Sequence, residues 1–141
     1  MKNTLKPYII NAFYSWCMDY QFVPLILVSK DDSNILPGHI ENLDFNTFNI
    51  HPRSIKNLIF EKNYMIFFAM FDRNEFEVKI NYDAISSIFV DQMDYKIDFM
   101  DLFENYEKVS EKLKKYKQSV DLEKENKIKN FVVVRAGDIK E

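Results

Sequence analysis

The chain has 141 residues, of which 47% are apolar and 16% aromatic, and this composition predicts one domain with a sizeable buried core. Its 19 basic and 22 acidic side chains give a net charge of −3, so no overall positive field favours nucleic acid or anionic lipid. The lone cysteine, Cys17, excludes an internal disulfide, and no apolar run approaches the ~18 residues that span a bilayer. We therefore expect a cytoplasmic protein without a membrane segment.

The first predicted element is an amphipathic helix over residues 7–20. Its apolar side chains recur at three- to five-residue steps, and a proline is tolerated in the first turn of a helix. These side chains are Tyr8, Ile9, Ala12, Phe13, Trp16, Cys17 and Tyr20. Because this stripe is wider than one face of a small sheet needs, it can pack on the sheet alone or also on a partner.

Short apolar runs separated by turn residues follow and predict strands at residues 25–28, 35–36, 43–51 and 58–60. Two further runs, residues 64–71 and 76–82, predict a β-hairpin with a four-residue connection. The first hairpin strand is apolar on both faces and is expected in the centre of a sheet, whereas residues 85–90 predict an edge strand. The predicted fold class is α+β, with an N-terminal helix followed by a small antiparallel sheet or open barrel.

The C-terminal third of the chain differs in composition. Fourteen of the 26 residues at positions 104–129 are charged, and this stretch has no proline or glycine. A helix and a disordered linker are both consistent with this pattern up to Lys117. We expect a domain over residues 1–95, a charged tether over 96–129 and an apolar docking segment over 130–141.

The sequence contains no recognisable catalytic motif. The only histidines, His39 and His51, are not spaced as metal ligands, and the only glycines, Gly38 and Gly137, cannot form a nucleotide-binding loop. Cys17 falls on the apolar side of the predicted helix, where a cysteine is usually an inert core residue. We expect no enzyme activity, no cofactor and no metal.

Three blocks of the sequence resemble one protein family. Residues 6–24 read KPYIINAFYSWCMDYQFVP, residues 48–58 read FNIHPRSIKNL, and residues 67–71 read FFAMF. In order and spacing they are similar to blocks of the stringent starvation protein B (SspB) family, whose members are adaptors of the ClpXP protease. The resemblance covers residues 6–90.

This resemblance implies a non-catalytic homodimer with an Sm-like half-barrel of two small antiparallel sheets. Family members bind the ssrA degradation tag in a groove of the β domain, and a C-terminal motif docks on the N-terminal domain of ClpX. Carried over by position, the peptide-binding residues are Ile40, Ile50, Ala69 and Phe71. The implied dimer interface consists of Ile9, Ala12, Phe13 and Trp16. The implied ClpX-docking residues are Phe131, Val132, Val133, Val134 and Arg135.

The residues themselves are also consistent with other interpretations. Ala69, on a strand of larger residues, either leaves a depression for a peptide or is a packing choice, and the helix residues also suit helix–sheet packing within one chain. A small β-rich core with exposed aromatics is also compatible with an Sm-like RNA-binding module, although we expect no nucleic acid partner. A third hypothesis is a hydrolase that uses His39 or His51 with carboxylates.

Overall fold

The structure, a computed structural model, describes the backbone of residues 4–121 and the side chains of residues 4–104 and 111–119. Its elements are α1 (Lys6–Asp19), β1 (Pro24–Ser29), β2 (Phe45–Asn49), β3 (Lys56–Phe60), β4 (Tyr64–Phe71), β5 (Asn74–Asn81), a short 3₁₀ helix (Tyr82–Ala84), β6 (Ile85–Val90), β7 (Lys96–Asp98) and α2 (Phe99–Asp121). The strands form two antiparallel sheets, a four-stranded one in the order β2-β1-β6-β7 and a three-stranded one in the order β3-β4-β5. The predicted α+β class and the N-terminal helix are therefore confirmed.

The chain divides into two compact units. The first unit runs to Leu102 and contains α1 and both sheets, and the second begins at Phe103. Among the described residues, α2 spans the boundary between the units, and within the second unit its side chains Leu113 and Tyr116 are exposed. No helix in the described part of the chain is long and apolar enough to cross a membrane.

Helix α1 buries one stripe of side chains, namely those of Lys6, Ile10, Phe13 and Cys17. Their three- and four-residue spacing puts them on the same side of the helix, which faces the core. The helix ends at Asp19 because Gln21 takes a left-handed conformation with φ of 59°. This reversal lets the N–H of Phe22 donate to the carbonyl of Cys17 at 2.9 Å, a common way to end a helix.

The four-stranded sheet corrects one prediction. Residues 85–90 were expected at an edge, but β6 lies between β1 and β7, with Ile88 opposite Ile26 and both side chains fully buried. The prediction failed because β7 has only three residues, too few to give a recognisable alternation in the sequence. Its pairing with β6 covers what would otherwise be an open edge.

The predicted β-hairpin forms, and its first strand is central in the three-stranded sheet as expected. The predicted four-residue connection is wrong: Phe71 pairs with Asn74, which leaves a two-residue turn of Asp72 and Arg73. Both turn residues have positive φ, 49° and 65°, as a type I′ turn requires. The prediction failed because glycine or asparagine usually marks this turn, and neither occupies its two central positions.

The strand predicted at residues 35–36 is reduced to one bridge. Ile35 exchanges two backbone hydrogen bonds with Lys79 on the outer edge of β5, at 2.8 and 3.0 Å. Next to it, the side-chain oxygen of Asn34 accepts from the N–H of Asn81 at 2.8 Å. The loop that follows β1 therefore protects part of the edge of β5 instead of forming a strand.

Lys6, at the start of α1, is buried, and its ammonium group lies beside the start of α2. The Lys6 ammonium lies 5.0 Å from the centre of the Phe99 ring and donates to the backbone carbonyl of Asp83 at 3.4 Å. Burial lowers the pKa of Lys6 to about 8, and the nearby Asp83 carboxylate opposes this shift. Asp98 begins α2 by accepting from the N–H groups of Met100 and Asp101, as an N-cap residue does.

Candidate functional site

The β4–β5 hairpin has one face that belongs to the core. Met65 pairs with Ile80 and Phe67 pairs with Val78, and all four side chains are fully buried. Phe67 contacts Phe48 of β2 edge-to-face, with ring centres 6.0 Å apart, so this face of the hairpin packs against the other sheet. The apolar side chains of the two sheets therefore pack against each other at this point.

The same face continues beyond the core toward the turn of the hairpin. Ala69 and Phe71 follow Phe67 at two-residue steps, and Phe76 lies directly opposite Ala69, so all of them project from the same side of the sheet. Ala69 and Phe71 are half-buried, and Phe76 keeps 38% of its surface exposed. Phe71 makes edge-to-face contacts with His39 at 5.8 Å and Phe76 at 6.0 Å. We call this set, His39, Ala69, Phe71 and Phe76, the hairpin-end surface.

Two of the four predicted peptide-binding residues, Ala69 and Phe71, lie in the hairpin-end surface. Ile40 follows His39 and is half-buried, in a loop fixed by a hydrogen bond from the Asn46 amide to the Ile40 carbonyl at 3.0 Å. Ile50 is different because its side chain has no exposed surface. Ile50 therefore packs within the core and does not itself line an accessible surface.

A shallow depression of about 160 Å³ adjoins this region. Ala69 lines it together with Phe68, Met70 and Glu75 from the hairpin. Residues 52–56, which lead into β3, form the other side. Ala69 therefore borders this depression as well as the hairpin-end surface.

The predicted dimer-interface residues of α1 differ in exposure. Phe13 keeps only 9% of its surface and faces the core, whereas Ala12 is exposed. Ile9 is half-buried. Trp16 is also half-buried, and four rings of its own chain already surround its indole: Phe13, Tyr20, Phe22 and Tyr95.

A larger cleft, of about 630 Å³, lies beside α1. Its walls come from the start of α1, from the end of β3 with the turn to β4, and from the end of β5 with the 3₁₀ helix. The lining residues are Thr4, Pro7, Tyr8, Asn11, Ala12, Phe60, Glu61, Lys62, Asn63, Asn81, Tyr82 and Asp83. Sequence reasoning singled out only Ala12 for a binding role, because the others lie in separate stretches without a shared motif.

Hydrogen bonds hold the floor of the cleft. The Tyr82 hydroxyl donates to the Glu61 carbonyl at 2.6 Å, and burial, followed by the Glu61 carboxylate, raises the pKa of Tyr82 to about 12. The phenol therefore stays protonated and donating at neutral pH. The Asn81 side chain accepts from the Asp83 N–H at 3.0 Å and fixes the 3₁₀ helix. The cleft combines rings with amide groups, a lining that suits polypeptide.

His39, His51 and Cys17 are the groups that the sequence offered as candidates for chemistry. Among the described side chains, those of residues 4–104 and 111–119, no three His, Cys, Asp or Glu groups could hold a metal ion together. The His51 ring accepts from the Arg53 N–H at 3.0 Å, and the His39 ring packs on Phe71. Cys17 is fully buried, and burial raises the pKa of its thiol to about 11, so it is protonated at neutral pH.

The predicted ClpX-docking residues 131–135 lie outside the residues that the structure describes. A search of the sequence against models of known protein families found no match.

Proposed function

We propose that this protein is a non-catalytic adaptor that binds ssrA-tagged polypeptides at the hairpin-end surface and delivers them to the ClpXP protease. One structural observation supports it above the others: the core face of the hairpin continues past Phe67, through Ala69 and Phe71, onto an accessible surface. The proposal also draws on the resemblance of residues 6–90 to the SspB family. In the finer fold proposal, the two sheets form an Sm-like half-barrel, and the Phe48–Phe67 contact between them supports this arrangement.

The hairpin-end surface suits an extended peptide for a simple physical reason. Side chains of an extended chain alternate in direction, so every second residue of a bound peptide can contact the rings of Phe71 and Phe76. Ala69 lies directly opposite Phe76, and its small side chain lets the peptide backbone approach the sheet. His39 closes one side of this surface by its contact with Phe71. Burial of exposed aromatic surface supplies the main free energy of such binding.

Delivery requires a second contact, which we assign to residues 131–135 and the N-terminal domain of ClpX. A tethered pair of weak contacts raises the effective concentration of a bound substrate at the protease to roughly the millimolar range. In a homodimer, two tethers act together. We place the dimer interface on the exposed side of α1 around Ala12, because Phe13 faces the core of its own chain.

Fluorescence anisotropy with a labelled ssrA-type peptide tests the binding site. We expect Phe71→Ala to weaken binding about tenfold, which is ~1.4 kcal/mol, because it removes the central ring of the surface. Ile59→Ala is the matched control: Ile59 lies on β3, is 50% exposed and lines neither the hairpin-end surface nor the adjoining depression. Equal affinity of wild type and Phe71→Ala for the peptide would place the site elsewhere. Absence of any peptide binding, or tighter binding of an RNA oligonucleotide, would contradict the tag-binding role.

Degradation of an ssrA-tagged reporter by ClpXP tests delivery separately. At a reporter concentration below KM, the full chain should accelerate degradation, and a chain that ends at Lys129 should not. If neither chain accelerates degradation although both bind the tag, the protein sequesters tagged chains and residues 131–135 do not dock on ClpX.

Analytical ultracentrifugation tests the dimer. Ala12→Glu introduces a charge into the proposed interface and should shift the protein toward monomer by at least tenfold in dimer dissociation constant, or ~1.4 kcal/mol. Asn42→Glu adds the same charge at an exposed loop position and should leave the dimer intact. A wild-type protein that stays monomeric at all concentrations would refute the dimer without affecting the tag-binding proposal.

A further inference from the structure

A second aromatic surface lies at the C-terminal end of α1, outside the proposed tag-binding site. Trp16 is its centre, with Phe22 at 5.0 Å and Tyr95 at 5.4 Å between ring centres. Tyr20 stacks on Phe22 at 6.2 Å with the two rings nearly parallel. Tyr20 is 65% exposed and Tyr95 is 54% exposed. We call these four residues, Trp16, Tyr20, Phe22 and Tyr95, the aromatic patch.

Backbone hydrogen bonds hold the two segments of the patch together. The N–H of Val90 donates to the Tyr95 carbonyl at 3.0 Å, which closes the turn before β7. The N–H of Asp91 donates to the Val23 carbonyl at 3.2 Å, so this turn lies against the segment that carries Phe22. The backbone that carries the rings is therefore fixed before any partner binds, which reduces the entropy that binding would cost.

The border of the patch is acidic. Asp19 precedes Tyr20, Asp94 precedes Tyr95, and Asp91 begins the same turn, whereas Lys96 is the only cation in these two stretches. All three carboxylates belong to exposed residues, and none has an ion-pair partner among the residues that the structure describes. Exposed aromatic rings attract cations to their faces, and unpaired carboxylates on neighbouring residues add to this attraction.

This charge limits what can cover the patch. Nucleic acid and anionic lipid would be repelled by the carboxylates. A second copy of the chain would bring the same acidic border to a two-fold interface, where like charges oppose each other. A polypeptide segment that alternates Lys or Arg with apolar side chains complements both properties. Its cations can stack on the tyrosine rings and pair with the carboxylates, while its apolar side chains cover Phe22 and Trp16.

We infer that the aromatic patch is a docking site for a cationic, apolar polypeptide segment of a partner protein. The site is independent of tag binding, since its residues are not part of the hairpin-end surface. It gives the chain a second way to select a polypeptide, by the charge of an internal segment and not by a tag.

Trp16 is the only tryptophan of the sequence, so intrinsic fluorescence reports on the patch directly. The probe is the peptide acetyl-Lys-Phe-Arg-Val-Lys-Ile-Arg-amide, titrated into the full-length protein. We expect Trp16 emission to change and to reach saturation as the peptide binds. The affinity for the peptide should fall about fivefold or more when salt is raised from low to physiological concentration. A control peptide with Glu at every Lys and Arg position should give no saturable change.

Two variants locate the binding site and retain the reporter. Tyr95→Ala should weaken binding at least fivefold, and the charge-only double variant Asp19→Asn with Asp94→Asn should do the same with little effect on folding. The matched controls are Tyr116→Ala, an exposed tyrosine of α2, and Asp32→Asn, an exposed aspartate of another loop. Affinity for an ssrA-type peptide should be unchanged in all of them, so this inference can fail while the proposed function stands.

Three results would overturn the inference. The first is no saturable response to the cationic peptide, and the second is an equal response to the acidic one. The third is a change of Trp16 emission on diluting the protein alone, with loss of the dimer, because a second copy would then cover the patch.

Discussion

The two ends of the β4–β5 hairpin present the same kind of side chain in different surroundings. In the half of the hairpin away from the turn, Phe67 and Val78 form a cross-strand pair with no exposed surface. Near the turn, Ala69 and Phe76 form the next pair on the same face, and Phe76 keeps 38% of its surface exposed. Alternation along the strands is the same at both ends, so covering by the other sheet makes the difference. Apolar residues that continue beyond this cover become a binding surface instead of core.

The largest effect that this comparison predicts is on stability at the covered end. Phe67→Ala should lower the free energy of unfolding by about 3–5 kcal/mol, because it removes a fully buried ring and leaves a cavity beside Phe48. Urea unfolding followed by circular dichroism measures the change. If the alanine variant does not fold, Phe67→Leu, with an expected loss of about 1–2 kcal/mol, provides the measurement. A loss below about 1 kcal/mol for Phe67→Ala would mean that this face is not packed.

The same substitution at the exposed end should cost much less. Phe71→Ala removes a half-buried ring and should lower the free energy of unfolding by about 1 kcal/mol. Its main effect should be the tenfold loss of peptide affinity already described. Comparison of Phe67→Ala and Phe71→Ala in one urea series shows which of the two rings contributes to stability as part of the core. Equal destabilisation by both would show that Phe71 is a core residue, and the comparison would fail.

The buried ammonium group of Lys6, at the start of α1, predicts a dependence of stability on pH. The pKa of Lys6 is about 8 in the folded state, against a usual value of 10.5. Below about pH 8 both states carry the proton, and the cost of burying the charge is present in full. As pH rises from about 8 to 10.5, the unfolded state retains a proton that the folded state has lost, so the free energy of unfolding increases.

Lys6→Met isolates this dependence. Burial raises the pKa values of Cys17 and Tyr82, which acts in the opposite direction at alkaline pH but equally in both proteins. The stability of the wild type relative to Lys6→Met should therefore increase between about pH 7 and pH 10. Urea unfolding at both pH values gives the difference. An equal change in the free energy of unfolding of both proteins between the two pH values would contradict the burial of the ammonium group.

The smallest expected effect is at the turn of the hairpin. Arg73 has φ of 65°, a conformation in which glycine avoids a steric cost. Arg73→Gly should therefore stabilise the protein by about 0.5–1 kcal/mol without changing peptide affinity. Asp32→Gly, at an exposed position without positive φ, should give no gain. A stability loss for Arg73→Gly would mean that the arginine side chain contributes more than the turn conformation costs.

Sequence reasoning located most elements because their signals are local. The spacing of Phe13, Trp16 and Cys17 predicted α1, and the alternation in residues 76–82 predicted the second hairpin strand. It failed where the signal was short or absent, as for the three residues of β7 and the turn at Asp72 and Arg73. For the candidate site, Ala69 and Phe71 were selected by resemblance to a family, and the structure adds His39 and Phe76 beside Phe71. Contacts between distant segments leave no periodic pattern, so these two additions could not be predicted.

The sequence by itself determined the α+β class, the amphipathic helix and the central position of β4, because each follows from the spacing of apolar residues within one segment. Only the tertiary structure decided that Ile50 is fully buried and that Phe76 is not. It also decided that three separate stretches form the cleft beside α1 and that Trp16 is the centre of an aromatic patch. The physical reason is that exposure depends on what packs over a residue. For these residues, the covering groups come from parts of the chain that are distant in sequence.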